Sequence, residues 1–286
     1  DEKICGVTAA MPSGTGLDKL MQEFPDRFWD VAICEQHAVT SMAAMAKEGF
    51  KPFVAIYSTF LQRAFDQIVH DVALQNWPVI FAIDRAGLVG EDGETHQGLL
   101  DIAYLRVAKN IIMFAPRDNV TLEEAVEYAA NLGKPCAFRY PRGSFLKTKK
   151  EYKSSGFENQ KLDLLSDAPD NSLLFIGYGN GSARALATAE ILQEKNVNVA
   201  VVDLKFINPL DIDGLNILSK RFKKWFVFSD SIKEGGVASA IFEALSPIDI
   251  TIETFEFLTP FIEHGNSAAL EEKLCITPTQ IANKFL

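Results

Sequence analysis

Glu35 stands where the apolar run Val31-Ala32-Ile33 gives way to a helical period, Glu35-Gln36-His37-Ala38-Val39. The run reads as a strand and the change of period as a helix start, which sets a carboxylate at the carboxyl end of a strand, where open α/β sheets bind their ligands. Glu35 is therefore a candidate acid or base. Two more apolar runs, Val54-Ala55-Ile56-Tyr57 and Val79-Ile80-Phe81-Ala82-Ile83, also end in groups able to bind or react. Tyr57, Phe60 and Arg63 close or follow the first, and Arg85 follows the second. An aromatic ring offers a flat face for offset stacking, and a guanidinium meets carboxylate or phosphate oxygens in a fork. Asp92 and His96 lie in a loop with Gly87, Gly90, Gly93 and Gly98, and such a loop suits closure over a substrate. Imidazole exchanges protons readily near neutral pH, which fits His96 for moving them.

Each of these types also has an ordinary role. A glutamate in the first turn of a helix serves the macrodipole, an isolated Phe is core, and an Arg forms surface ion pairs. Their concentration at consecutive strand ends favours one shared site.

The elements that would hold this site follow from the apolar pattern. Helices are expected near 36–48, ended by Gly49, near 60–75, and near 120–132, ended by Gly133; strands are expected at 52–57, 79–83, 111–115 and 136–140. Thr59-Phe60-Leu61-Gln62 has the form of a capping box, with Leu61, Ala64, Phe65, Ile68 and Val72 as the buried stripe behind it. Polar residues gather after 145, and a second alternating block has strands near 172–177, 198–203, 225–229 and 249–256 with helices near 182–195 and 236–245. Strands alternating with helices imply parallel sheets covered on both faces. The expected organisation is thus two tandem doubly wound α/β domains with mainly parallel sheets, at 1–145 and 172–286, joined by a linker at 146–171. Gly177-Tyr178-Gly179-Asn180-Gly181 invites a dinucleotide reading, with Asp203 downstream, but lacks the third glycine at the required spacing. A tight strand-to-helix turn is the better reading of those glycines.

Composition removes several classes of function. A net charge of −10, from 28 Lys and Arg against 38 Asp and Glu, disfavours nucleic acid or an anionic membrane as the main partner. Any bound anion must be met by a few local cations. Cys5, Cys34, Cys136 and Cys275 are far apart and form no CxxC pair, which argues against a zinc site or a disulfide framework and suits a reducing cytoplasm. No apolar run reaches the roughly 20 residues that span a bilayer.

From 30 to 98 the chain resembles the 1-deoxy-D-xylulose-5-phosphate synthases, thiamine-diphosphate enzymes of the transketolase superfamily. The resemblance rests on Glu35-Gln36-His37-Ala38-Val39, Tyr57-Ser58-Thr59-Phe60-Leu61-Gln62-Arg63-Ala64, Asp66-Gln67, His70-Asp71, Asp84-Arg85-Ala86-Gly87 and Asp92-Gly93-Glu94-Thr95-His96-Gln97-Gly98. Tyr140-Pro141-Arg142-Gly143 and Phe261-Ile262-Glu263-His264-Gly265 extend it. It implies that Glu35 shares a proton with N1′ of the cofactor's aminopyrimidine, that Phe60 stacks on that ring and that Arg63 lies on the cofactor side. Tyr57, Arg85 and Arg142 would hold the phosphate of glyceraldehyde 3-phosphate, and Asp92 and His96 would serve the chemistry of its condensation with pyruvate. His37 and His70 are left as structural residues.

These enzymes hold Mg²⁺ and the diphosphate through a Gly-Asp-Gly motif followed further on by Asn, and no Gly-Asp-Gly occurs here. The chain also opens on Asp1 rather than Met. The expectation is a homodimeric cytoplasmic enzyme of which this chain supplies the middle and last domains, with no metal ligands of its own. A beta chain of a 2-oxoacid dehydrogenase would be a separate polypeptide of similar length, but Ser58-Thr59-Phe60-Leu61-Gln62-Arg63 and Asp84-Arg85-Ala86-Gly87 follow the synthase pattern. A transketolase proper, or a non-catalytic assembly module that keeps these domains without the metal site, would also carry this domain pair.

Overall fold

The computed structural model describes residues 1–286. Its first half carries β1 (Ile4–Thr8), α1 (Asp18–Glu23), β2 (Phe28–Asp30), α2 (Glu35–Lys47), β3 (Lys51–Tyr57), α3 (Ser58–Leu61), α4 (Phe65–Gln67), β4 (Ile80–Asp84), α5 (Asp101–Leu105), β5 (Ile112–Phe114), α6 (Asn119–Leu132) and β6 (Cys136–Arg139). The second half carries β7 (Asp163–Ser166), β8 (Leu173–Tyr178), α7 (Asn180–Gln193), β9 (Val199–Asp203), β10 (Phe206–Asn208), α8 (Ile212–Arg221), β11 (Lys224–Ser229), α9 (Val237–Leu245), β12 (Thr251–Thr254), α10 (Ser267–Lys273) and α11 (Pro278–Ala282). No helix is long and apolar enough to cross a membrane.

Two sheets organise these elements, as a tandem α/β pattern requires. The first runs β10-β5-β6-β4-β3-β1-β2 and the second β12-β11-β8-β9-β7. Within each, the strands pair in parallel except β10 on β5 and β7 on β9. Central strands such as β4 and β9 are buried at every residue, as expected where helices cover both faces. Helix α6 begins on a capping box, with Asp118 accepting from the Thr121 backbone at 2.8 Å, and ends on Gly133 in the left-handed conformation.

Four local expectations are corrected. The strand before Glu35 ends at Asp30, and Val31–Cys34 form a turn in which Ala32 has φ +55°. Asp30 explains the early stop, because its Oδ1 accepts from the backbone of Ala10 at 2.7 Å and of Ala32 at 3.0 Å, closing the turn.

The helix after Tyr57 starts at Ser58, so Thr59 lies inside it, and Gln62 Nε2 donates to the Thr59 carbonyl at 2.8 Å rather than completing a capping box. It is then a composite, passing through 3-10 turns at Gln62–Ala64 and π turns at Ile68–Ala73. Leu61, Ala64, Ile68 and Val72 are buried all the same, so hydrophobic periodicity survives the change of winding.

The stretch 146–171 is more than a linker. It supplies β7 to the second sheet and sends Phe157, 1% exposed, into the aromatic cluster of Phe114, Tyr128 and Phe206 under the first. Finally, β10 follows β9 in sequence yet joins the first sheet, where Phe206 pairs with Phe114. The two domains therefore share a sheet edge.

Buried ions tie the seam further. Arg117 Nη1 meets Asp203 Oδ2 at 2.8 Å, and Lys205 Nζ meets Asp163 Oδ1 at 3.0 Å. The glycine-rich turn before α7 has a packing reason: a Cβ on Gly177 would lie 2.2 Å from Ser182 Cα, and one on Gly181 would lie 2.1 Å from the Phe228 carbonyl oxygen.

Candidate active site

Glu35 is the first residue of α2, and the turn Val31–Cys34 delivers it there. Its neighbours along the helix, Ala38, Val39 and Met42, pack into the core, so the carboxylate is carried inward and is 2% exposed. An ion this buried needs a partner. Arg63 supplies one, with Nη1 at 3.3 Å from each carboxylate oxygen, from a side chain that remains 51% exposed. The same guanidinium carbon lies 5.8 Å from the Phe60 ring centre.

Phe60 belongs to a cluster of three rings drawn from two segments. Tyr57 stacks on it with centroids 6.0 Å apart and an interplanar angle of 22°, and His96 meets its edge at 5.0 Å and 77°. His96 is fixed through its other neighbours. Its Nδ1 lies 2.9 Å from Thr95 Oγ1, and the Thr95 carbonyl accepts from Thr59 Oγ1 at 3.2 Å. If the Thr95 hydroxyl donates to Nδ1, the ring proton sits on Nε2 and that nitrogen is a donor; the other tautomer makes it an acceptor.

The loop bearing His96 is built rather than loose. Gly87 and Gly98 pair across its base, N to O at 2.6 and 2.9 Å, and Gln97, 5% exposed, accepts from Val89 N and donates to the Ile262 carbonyl. Gly90, with φ +61°, presses on the second domain, since a Cβ there would lie 2.2 Å from Ser267 Oγ and 2.9 Å from the Gly265 carbonyl oxygen. The glycines serve close packing between domains as well as backbone freedom.

Arg85 and Arg142 share one counter-ion. Asp92 Oδ2 lies 3.4 Å from Arg85 Nε, and its Oδ1 lies 3.0 Å from Arg142 Nε. Arg85 is held on three further sides, by Asp84 Oδ2 at 2.9 Å, by the Gly14 carbonyl at 2.7 Å and by the Tyr57 ring, 3.9 Å below its guanidinium carbon. Asp92 thus stands between two cations beside Tyr57, which makes the pair a candidate anion-binding locus.

Burial pushes the Tyr57 phenol above its ordinary value, and it pushes the Asp84 carboxyl up to about 6 against the opposing pull of Arg85. Folded Asp84 holds its proton to higher pH than an unfolded Asp. Its contribution to stability is therefore fully present below about pH 4 and lost as pH rises through about 6, an effect on the order of 3 kcal/mol. We expect Asp84→Asn to flatten that part of the stability profile. Urea unfolding of both proteins between about pH 4 and 7 checks it, and an identical pH dependence would remove Asp84 as the cause.

All eight residues singled out from sequence, Glu35, Tyr57, Phe60, Arg63, Arg85, Asp92, His96 and Arg142, lie along this one connected chain of contacts. His70 pairs with Asp66 on the surface at 3.1 Å and takes no part. Sequence reasoning named Asp84 and Ser58 within motifs but gave them no role, and it did not single out Gly14, Asp101 or Arg139. Gly14 had no readable signal: a Cβ there would lie 1.7 Å from Tyr57 Oη, and that requirement exists only in three dimensions. No three His, Cys, Asp or Glu side chains are grouped so as to hold a metal ion.

The 1-deoxy-D-xylulose-5-phosphate synthase of a Nitratiruptor species is 56% identical over 284 residues, 99% of this chain and 46% of that protein. The enzymes of the same name from Aliarcobacter butzleri and Helicobacter pylori are 55% and 54% identical, over 99% and 100% of this chain and 47% and 46% of their own lengths. The chain therefore spans about half the length of these relatives.

Among solved structures, a split gene transketolase, described as an inactive beta4 tetramer, matches with a TM-score of 0.86 and 26% identity over 99% of this chain and 91% of that one. Transketolase from Campylobacter jejuni shares the fold, with a TM-score of 0.81 and 19% identity over 99% of this chain and 43% of its own. Residues 1–147 match the transketolase pyrimidine-binding domain and residues 163–281 the transketolase C-terminal domain, and by these two matches the chain belongs to the transketolase family.

Proposed function

We propose that this chain is the pyrimidine-binding and C-terminal part of a 1-deoxy-D-xylulose-5-phosphate synthase, which joins pyruvate, with loss of CO₂, to glyceraldehyde 3-phosphate. The observation that carries the reading is the juxtaposition of a buried carboxylate, Glu35, and an anion locus, Arg85 with Arg142, on either side of the Tyr57, Phe60 and His96 rings. Identity of 52–56% to enzymes of that name over 99–100% of the chain supports it.

The residues present fit the pyrimidine end of thiamine diphosphate. Glu35 is buried and has Arg63 alone as its polar partner, so it has capacity for a ring nitrogen, and Phe60 offers a flat apolar face nearby. When bound, the cofactor supplies a carbanion-stabilising thiazolium. Glu35 holds and returns a proton at N1′, and burial keeps water from competing for it. Arg63, half in solvent, offsets the carboxylate charge from the open side. His96 moves a proton to or from the acceptor's carbonyl or hydroxyl oxygen through Nε2. Arg85 and Arg142 take the acceptor's phosphate, with Tyr57 beneath Arg85 fixing its plane, and Asp92 sets the spacing of the two cations.

The same reading assigns Mg²⁺ and the diphosphate to residues outside this chain and includes assembly as a homodimer in the cytoplasm. The inactive state named for the split transketolase neighbour is consistent with a need for that other part.

The test is acceptor selectivity in the assembled enzyme. Arg85→Ala and Arg142→Ala each remove charge-assisted contacts worth about 1.5–3 kcal/mol, so each should lower kcat/KM for glyceraldehyde 3-phosphate by roughly 10–100-fold. An unphosphorylated aldehyde should lose far less. Equal losses with both acceptors would assign the arginines a structural or cofactor role. Exchange of two-carbon units between sugar phosphates in place of pyruvate decarboxylation would make the chain part of a transketolase.

A further inference from the structure

We propose that Arg139 is a positioning residue that sets the distance between the Tyr57 and Phe60 wall of the site and the Asp92 and His96 loop, and seats both on the second domain. This rests on the reading of the site above. Arg139 ends β6, next to β4 in the first sheet, and is only 4% exposed. It touches none of the eight site residues by hydrogen bond. Its Nε and Nη2 donate to three other segments.

The first is α5. Asp101, wholly buried, takes Arg139 Nε on Oδ2 at 2.6 Å and Nη2 on Oδ1 at 3.1 Å, and the same Oδ1 accepts from Ser58 Oγ at 3.0 Å. Ser58 directly follows Tyr57 and opens the helix that carries Phe60 and Arg63.

The second segment is the loop base. Arg139 Nη2 donates to the Gly98 carbonyl at 3.2 Å, the same oxygen that receives Gly87 N, two residues beyond His96.

The third is the second domain. Nη2 also donates to the Asp230 carbonyl at 2.9 Å, while the Asp230 side chain is held by Arg184 and by Asn180 Nδ2 at 2.9 Å. Gly87 abuts that side chain, since a Cβ on it would lie 2.7 Å from Asp230 Cβ. One guanidinium is thus the common end point of both walls of the site and of the domain that supports them. The guanidinium grips Asp101 through two nitrogens, Nε and Nη2, while Nη2 also reaches the two carbonyls, whereas Lys brings its three donors to a single nitrogen on a flexible stem and cannot keep that two-nitrogen grip.

The experiment has two arms. In the first, hydrogen exchange is measured on this chain and its Arg139→Lys variant. Residues 58–64 and the Gly87 and Gly98 amides should exchange faster together, by about tenfold or more, with β3 and β4 unchanged. Acceleration at one wall only, or throughout the sheet, overturns the proposal. If Arg139→Lys does not fold, Ser58→Ala cuts one arm alone and should speed exchange at 58–64 while leaving Gly87 and Gly98 protected; unchanged exchange at 58–64 overturns it equally.

The second arm is a double-mutant cycle in the assembled enzyme. Arg139→Lys should lower kcat/KM by about 100-fold in the native background, as a misplacement near 1 Å does, and by less than about threefold once His96→Ala is present. Additive losses would show a general structural role. Failure of the proposed reaction would leave the exchange result standing, so the two conclusions can fail separately.

Discussion

Glu35→Gln, in the enzyme assembled with its diphosphate-binding part, is expected to keep the fold and to lower kcat by about 10²–10⁴. Amide and carboxylate have the same shape, and the buried face of α2 below Glu35 is apolar, so the helix start and its packing are retained. The charge lost is one member of a pair whose other member, Arg63, is half in solvent and can be hydrated instead. What the amide cannot do is exchange a proton with N1′. The effect therefore falls on turnover rather than on stability. Circular dichroism and kcat at saturating thiamine diphosphate check it together; retention of more than half of the native kcat would remove Glu35 from the proton path.

The reach of sequence reasoning here follows the range of the signals involved. Glu35, Phe60, Arg63 and Arg85 lie close to the ends of strands, where the apolar period changes locally, and His96 lies in a loop marked by its glycines. That Glu35 begins a helix was legible. That Val31–Ile33 is a turn was not, because three apolar residues read as strand until Asp30 is known to close the turn on Ala10 and Ala32. Ile33 is in fact 69% exposed.

The longer-range devices left no local trace. Phe206–Asn208 follows a strand of the second sheet but completes the first, a choice made by the Phe114, Tyr128 and Phe157 cluster it joins. Arg139 reads as one more residue of an apolar strand, and only its pairing with Asp101 across 38 positions gives it meaning. Asp92 was legible as a candidate carboxylate in a glycine-rich loop, whereas its place between two arginines depends on how the loop folds back.

Purified alone, this chain is expected to fold cooperatively, to bind thiamine diphosphate weakly and to consume no pyruvate. Folding follows from its cores: 44 buried apolar residues form one continuous cluster spanning both sheets, and smaller clusters of 12 and 11 lie under the outer faces. Binding is a separate matter. For the cofactor's pyrimidine the chain offers a carboxylate and a stacking ring, together worth a few kcal/mol. The diphosphate carries most of the charge, and Mg²⁺ normally reaches it through one or two carboxylates together with the phosphate oxygens. Asp84 and Asp92, the carboxylates nearest the anion locus, are already engaged by Arg85 and Arg142. Turning either toward a metal would take from Arg85 one of its two carboxylate partners, and turning Asp92 would also take from Arg142 its nearer one. Calorimetric titration with thiamine diphosphate and Mg²⁺, followed by an assay of pyruvate consumption, measures both halves of the expectation. Micromolar affinity with turnover would mean that this chain binds the diphosphate itself, and the assignment of that task to another part of the enzyme would fall.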